Sequence, residues 1–176
     1  RGPAKRKDKG VVYRRVANGV GVFNTATVSH AKGATITDVD GKEWIDFAGG
    51  IGVVNAGHCP EPVVKAIQEQ AEKYIHTSFN VVTYEPYVGL CEDLVEILPH
   101  GEKTKVMLAS TGAEAVETAL KLCRKWAYDV KGIKEQKAQI IVCDGNFHGR
   151  TTTIISFSND ENARNNFGPY TEGFIK

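Results

Sequence analysis

The chain lacks most of the marks that place a sequence in a class at sight. No run approaches the ~18 consecutive apolar residues of a transmembrane helix, so no membrane span is expected. The first residues have no apolar core of the kind a secretory signal carries, and a basic leader without serine fits an organelle-targeting segment poorly. The four cysteines, Cys59, Cys91, Cys123 and Cys143, are scattered with no C-x-x-C pair. That argues against structural zinc and for a reducing compartment, taken here as the cytoplasm, and no metal site is expected. Neither G-x-G-x-x-G nor a Walker lysine occurs, which disfavours a dinucleotide or nucleoside-triphosphate site. There is no excess of either charge, 22 basic residues against 21 acidic, so nothing global draws nucleic acid or an anionic membrane. Only the first fifteen residues are lopsided: Arg1, Lys5, Arg6, Lys7, Lys9, Arg14 and Arg15 face the single acid Asp8. Without interleaved aromatics this reads as a solvated arm, residues 1–17.

What is present is α/β in pattern. Residues 18–58 read as an antiparallel meander followed by a glycine-rich loop. Gly19-Val20-Gly21-Val22-Phe23, Ala34 to Val39 and Glu43 to Phe47 alternate, and Asp40-Gly41 supplies a hairpin turn. The loop, Ala48 to His58, holds four glycines, a density that marks tight turning or the close approach of a ligand. Helical spacing begins at Pro60 and again near Glu85. Between these two helices lies a polar-aromatic connector, His76 to Tyr84. Lys105 to Ala109 reads as a short buried strand, and Ala138 to Cys143 as another. A helix from Gly112 to about Gly132 lies between them, with Val116, Leu120, Cys123, Trp126 or Ala127, and Val130 inward. Strand, helix, strand makes a βαβ unit and a parallel sheet. Thr171 to Lys176 shows no terminal element.

The sharpest local signal is Ser110-Thr111-Gly112-Ala113-Glu114. Thr111 and Glu114 form a capping box that starts the helix at Gly112. A helix start offers unpaired N–H groups and the positive dipole end, a seat for phosphate. A capped helix that binds nothing has the same signature. In open α/β sheets ligands sit beyond the carboxyl ends of the strands. The loop after Leu108 should therefore lie beside the loop after Cys143, Asp144-Gly145-Asn146-Phe147-His148-Gly149-Arg150-Thr151. The second loop brings an aromatic ring, an imidazole and a guanidinium toward the anion seat.

These motifs together resemble the class III (ω-amino acid) aminotransferases, pyridoxal-phosphate enzymes of fold type I. The likeness is carried by Asp46-Phe47 with Asn55-Ala56-Gly57-His58, by Ser110 to Ala115, by Asn146 to Thr151 and by Gly168-Pro169-Tyr170. The first hundred residues look most like 4-aminobutyrate aminotransferase, and the segment from Val106 more like ornithine aminotransferase.

The resemblance implies residues 59–176 as part of a large pyridoxal-phosphate-binding α/β domain, and a homodimer in the full-length parent. It implies cofactor binding by Ser110, Thr111, Gly112, Ala113, Phe147 and His148, with the Gly112 and Ala113 N–H groups on the phosphate and Phe147 stacked on the pyridine ring. Arg150 would pair with a substrate carboxylate, for which its planar fork is shaped. Ile51 would face the substrate, and Asn80 is a candidate polar contact. Ornithine-type enzymes place a tyrosine at the Ile51 position, so its absence argues for 4-aminobutyrate-like amines, with 2-oxoglutarate as acceptor. Against these stand Arg150 as a surface or ion-pair arginine, His148 as a satisfied loop histidine and Ile51 as plain packing, each the less favoured reading; His58 is expected to bond backbone. The family's Schiff-base lysine lies in a motif that no lysine here occupies, so the 176 residues alone are expected to be inactive. The other readings are a non-catalytic phosphate- or partner-binding module and, disfavoured, an unrelated nucleotide binder.

Overall fold

A computed structural model describes residues 16–176 apart from Val22, Thr25 and Glu102; most of the basic arm thus lies outside the described residues. The chain divides into two units, one ending at Thr83 and the other spanning Tyr84–Lys176.

The first unit is built on an antiparallel meander, β1 (Val28–Lys32), β2 (Thr35–Asp38) and β3 (Glu43–Ile45), in that order across the sheet. The ladders pair Ala31 with Ile36 and Ile36 with Trp44, with an irregularity between Val28 and His30. The meander is present, but its first strand begins at Val28. The Gly-Val alternation at 19–23, read as β, enters no ladder among its described residues; Val20 N–H closes a turn on the Ala17 carbonyl at 3.0 Å. Positions 19 and 21 are glycine, which gives a strand no side chain to pack.

This unit is knotted by a carboxylate. Asp38, 8% exposed, accepts the N–H groups of Asp40 and Lys42 and the Trp44 indole N–H at 3.0, 2.9 and 3.0 Å. The Lys42 ammonium stands 3.8 Å from the Trp44 ring. These bonds, led by that from the indole, hold the Asp38 carboxyl below its ordinary range. Helix α1 (Glu61–Lys73) follows, with Pro62 in its first turn where a missing N–H costs nothing.

The second unit has the apolar core. It contains α2 (Glu85–Ile97), α3 (Gly112–Asp129), β4 (Ile140–Ile141), a 3₁₀ turn at Ile154–Phe157, α4 (Glu161–Arg164) and β5 (Phe174–Ile175). Leu120, Ile154 and Phe157 are buried, packed by Ala113 and Val116 of α3, by Ile140 and Val142, and by Phe174. Phe157 and Phe174 lie 4.5 Å apart, centroid to centroid.

The parallel sheet is real, but its pairing differs from the expected one. β4 pairs with β5, Ile140 opposite Phe174 and Ile141 opposite Ile175. The end of the chain therefore does carry an element. Val106 to Leu108 enters no ladder among the described residues; the Leu108 N–H donates to the Tyr87 hydroxyl at 3.0 Å. Periodicity finds strands and cannot say which ones are neighbours. Helix α3 also turns differently from expectation. Val116, Leu120 and Ala127 face inward, while Cys123, Trp126 and Val130 are exposed. Among the described residues no helix is long and apolar enough to cross a membrane, and no cluster of His, Cys, Asp and Glu could hold a metal ion.

Candidate functional site

The start of α3 is capped as its sequence predicts. Thr111 Oγ1 accepts the Glu114 N–H, and the Glu114 carboxylate accepts the Thr111 N–H, both at 3.1 Å. The Ala115 N–H goes to the Thr111 carbonyl. With those donors used, the N–H groups of Gly112 and Ala113 have no partner among the described residues, and nothing stands within 4 Å of where a Gly112 Cβ would be. Two adjacent unpaired donors at a helix N-terminus, with open space before them, suit an oxyanion. Ser110, just before the cap, is exposed.

The loop after β4 is pressed against this start. A Cβ on Gly149 would lie 2.8 Å from the Ala113 Cβ and 3.2 Å from Ile154 Cδ1, and Gly149 has φ 124°. Only glycine permits that approach. Two residues on, the Thr151 hydroxyl donates to the Glu117 carboxylate of α3. The expected neighbourhood of the two loops thus holds, although it arises from α3 lying over the β4–β5 core and not from pairing of the strands that precede them.

Within the loop each candidate side chain has a definite seat. Asn146 donates to the Cys143 and Phe157 carbonyls, and its Oδ1 lies 2.8 Å from His148 Nδ1. The His148 ring packs edge-on against Phe157, centroids 5.7 Å apart. Phe147 is 72% exposed, and the Arg150 guanidinium stands over its ring, 5.4 Å from the centroid. Arg150 makes no ion pair among the described residues; its contact is the ring.

Ile51 and Asn80 belong to the first unit. Asn80 is exposed in a turn where the Val81 and Val82 N–H groups close on the Ser78 carbonyl. Ile51 is 86% exposed and has φ 63°, ψ 52°, a left-handed conformation that is an outlier for a β-branched residue. Sequence reasoning used Asp46 only as part of a motif and gave it no role, yet its carboxylate organises the Ile51 loop. Its Oδ1 accepts the Ala48 and Gly49 N–H groups at 3.0 and 2.9 Å, and its Oδ2 lies 2.7 Å from His58 Nε2. An ionised carboxylate only accepts, so the imidazole carries the proton on that nitrogen. These contacts, that from His58 foremost, hold the Asp46 carboxyl below its ordinary range. The His58 ring, expected to bond backbone, binds the Asp46 carboxylate instead; it is the His58 main chain that pairs with Gly33, in both directions at 2.8 Å. The available signal was an acid at the end of an alternating strand, three residues before a glycine run.

Residues 16–176 match the sequence model of the Aminotransferase class-III family. The chain belongs to that family. It is 42% identical over 147 residues to an ornithine aminotransferase from Brevibacillus brevis, covering 84% of this chain and 36% of the relative. It is 43% identical over 156 residues to the 5-aminovalerate aminotransferase DavT from Pseudomonas putida, covering 87% and 35%. Among solved structures, the ornithine aminotransferase from Toxoplasma gondii ME49 matches with a TM-score of 0.88 at 36% identity, over 96% of this chain and 40% of that one. The acetylornithine aminotransferase from Elizabethkingia anophelis matches with a TM-score of 0.73 at 40% identity, again over 96% and 40%. The fold is the α/β fold of type I aminotransferases in part, and the chain spans about a third of the length of its curated relatives.

Proposed function

We propose that this chain is the N-terminal portion of a pyridoxal-phosphate-dependent ω-aminotransferase that moves an amino group from 4-aminobutyrate or ornithine to 2-oxoglutarate. The observation that carries the reading is the pair of unpaired N–H groups at Gly112 and Ala113, held beside the loop of Phe147, His148 and Arg150 by the close approach of Gly149. The cofactor, when bound, supplies an electron sink for the carbon that bears the amine. In this reading the chain's own residues do the holding. The Gly112 and Ala113 N–H groups donate to the phosphate, with Ser110 and Thr111 at its edge, where a helix start neutralises a dianion without a mobile side chain. Phe147 orients the ring by offering a flat face, and His148, fixed by Asn146 and Phe157, flanks it. Arg150 pairs with a substrate carboxylate, and leaving the Phe147 ring to do so breaks no ion pair among the described residues. The parts of Ile51 and Asn80 as substrate contacts rest on the resemblance, as does a homodimeric parent; a cytoplasmic location rests on the scattered cysteines. The 5-aminovalerate and ornithine names of the relatives fit a substrate whose amine is at the end of a carbon chain. No lysine here occupies the motif of the family's covalent anchor, so the 176 residues alone hold cofactor without turning it over.

The test is pyridoxal phosphate titrated into the protein and followed by ³¹P line width. Gly149→Ala should weaken binding, because its methyl group would meet the Ala113 Cβ at 2.8 Å and push the loop away from the helix start. Equal binding by the two proteins, or none by either, would overturn the reading. Glutamate formation from 4-aminobutyrate and 2-oxoglutarate by the 176 residues alone would overturn the claim that they are inactive.

A further inference from the structure

The glycine-rich loop contains a full turn of the wrong hand. Gly49, Gly50, Ile51 and Gly52 have φ of 54°, 65°, 63° and 76°. The turn is closed by Gly52 N–H to the Ala48 carbonyl at 2.9 Å and Val53 N–H to the Gly49 carbonyl at 2.8 Å. L-residues enter this region as single positions and not as turns, because Cβ then crowds the following carbonyl. Three of the four positions are glycine and escape that cost. Ile51 does not, and its side chain is exposed, so no burial offsets the strain. A strained, exposed, β-branched residue persists only where its surroundings over-determine it, and such residues gather at functional sites.

One carboxylate supplies the determination. Asp46, its side chain 8% exposed, takes the first two N–H groups of the loop on Oδ1 and the His58 ring at the loop's other end on Oδ2. His58 is in turn fixed by its two main-chain bonds to Gly33, and Gly57 (φ 81°) must be glycine because a Cβ there would meet the Gly33 carbonyl at 3.1 Å. Both ends of the loop are thus tied to one side chain, and the left-handed turn is what lies between.

We propose that Asp46 is a positioning residue for amine selectivity: by fastening both ends of the loop it fixes the left-handed turn that presents Ile51. The proposal rests on the reading of Ile51 as a substrate-facing residue of an aminotransferase. It makes the pose of Ile51 depend on a side chain that the reading gives no substrate contact.

The experiment uses the full-length holoenzyme and two readouts, deuterium exchange over residues 49–54 and the ratio of kcat/KM for 4-aminobutyrate to that for ornithine. Asp46→Ala should speed exchange at Gly52 and Val53 about tenfold or more and shrink the ratio about fivefold. Asp46→Asn should restore both, since its oxygen still accepts the two N–H groups and its amide can donate to a neutral imidazole. His58→Ala, which leaves the Asp46 bonds to the loop start in place, should move both readouts the same way by less, and it decides the matter should Asp46→Ala fail to fold. Exchange within twofold of the wild type in these variants would overturn the clamp. Faster exchange with an unchanged ratio, in an enzyme where Ile51→Ala does change the ratio, would overturn the positioning role while leaving the reading of Ile51 intact. A ratio indifferent to Ile51→Ala would remove the substrate-facing reading and the proposal with it, without touching the phosphate seat, which the Gly149→Ala titration tests separately.

Discussion

The loop after β3 and the loop after β4 each hold a candidate side chain clear of the surface, and they are fastened by opposite means. The first is tied by hydrogen bonds to a single carboxylate, Asp46, and the unit around it has, among its described residues, a second carboxylate hub, Asp38, but no buried apolar side chain. The second is pressed by packing, Gly149 against Ala113 and Ile154, over a core of Leu120, Ile154 and Phe157. Hydrogen bonds are directional, so they can impose a backbone that sterics disfavour, such as left-handed Ile51. Packing has no direction but responds to volume, so it fixes how close two segments come. The first arrangement sets a conformation and the second sets a distance, which is what the proposed substrate contact and the proposed phosphate seat respectively require.

The contrast breaks most visibly at the core. Phe157 is 1% exposed and touches both His148 and Phe174. Phe157→Ala should cost about 3–5 kcal/mol, the range for removing a buried aromatic. The loss should fall on the second unit. The two tryptophans make this measurable, since Trp44 lies in the first unit and Trp126 in α3 of the second. In urea titrations followed by their indole N–H resonances, the Trp126 signal should lose its native position at lower urea in the variant, with Trp44 unmoved. A matching fall in both would show that one core serves both units.

Acid should act on the other side. Asp38 and Asp46 both have carboxyls held below their ordinary range, the first mainly by the Trp44 indole and the second mainly by His58. A lowered folded value means that the stabilisation is fully present above the ordinary carboxylate value near 4 and is lost as pH falls through the lowered values. The first unit should therefore loosen below about pH 4. The Trp44 indole N–H, which donates to Asp38, reports it directly. Its resonance should move upfield through that window and before the Trp126 resonance does, and Asp38→Asn should flatten the response. A Trp44 signal that holds its position while Trp126 is lost would reverse the assignment of polar and apolar fastening.

Local chemistry in this fold is legible in the sequence, and long-range pairing is not. Thr111 and Glu114 announce a capped helix because the partners are three residues apart on one turn, and Pro62 and Glu85 mark helix starts for similar reasons. Asp40-Gly41 likewise forms its turn, with Gly41 at φ 83°. The partner of β4 could not be read, because Val106 to Leu108 and Phe174-Ile175 are both short apolar runs and only tertiary packing chooses between them. The glycine run signalled an unusual backbone, yet its hand and its tether depend on Asp46 and His58 meeting across twelve positions, a closure that no periodic pattern encodes. The residue roles at 112, 113, 147, 148 and 150 came from likeness to a family. What the structure adds is that the loop of the last three is packed on the helix start of the first two by a glycine that sequence alone gave no reason to single out.

The smallest expected effect is the most diagnostic of how the first loop is held. A left-handed conformation costs an L-residue roughly 1–2 kcal/mol, whereas glycine costs about 0.5–1 kcal/mol through the extra freedom of its unfolded chain. Ile51 is 86% exposed, so replacing it forfeits little burial. Ile51→Gly should then stabilise the protein slightly, by about 0.5–1 kcal/mol, seen as a small rise in denaturation midpoint with an unchanged slope. A fall in stability would mean that the side chain packs against something that repays its strain, and the loop would then be held by apolar contact like its counterpart. A rise accompanied by loss of discrimination between 4-aminobutyrate and ornithine would show the opposite, a residue kept at a cost in stability for what it touches in the substrate.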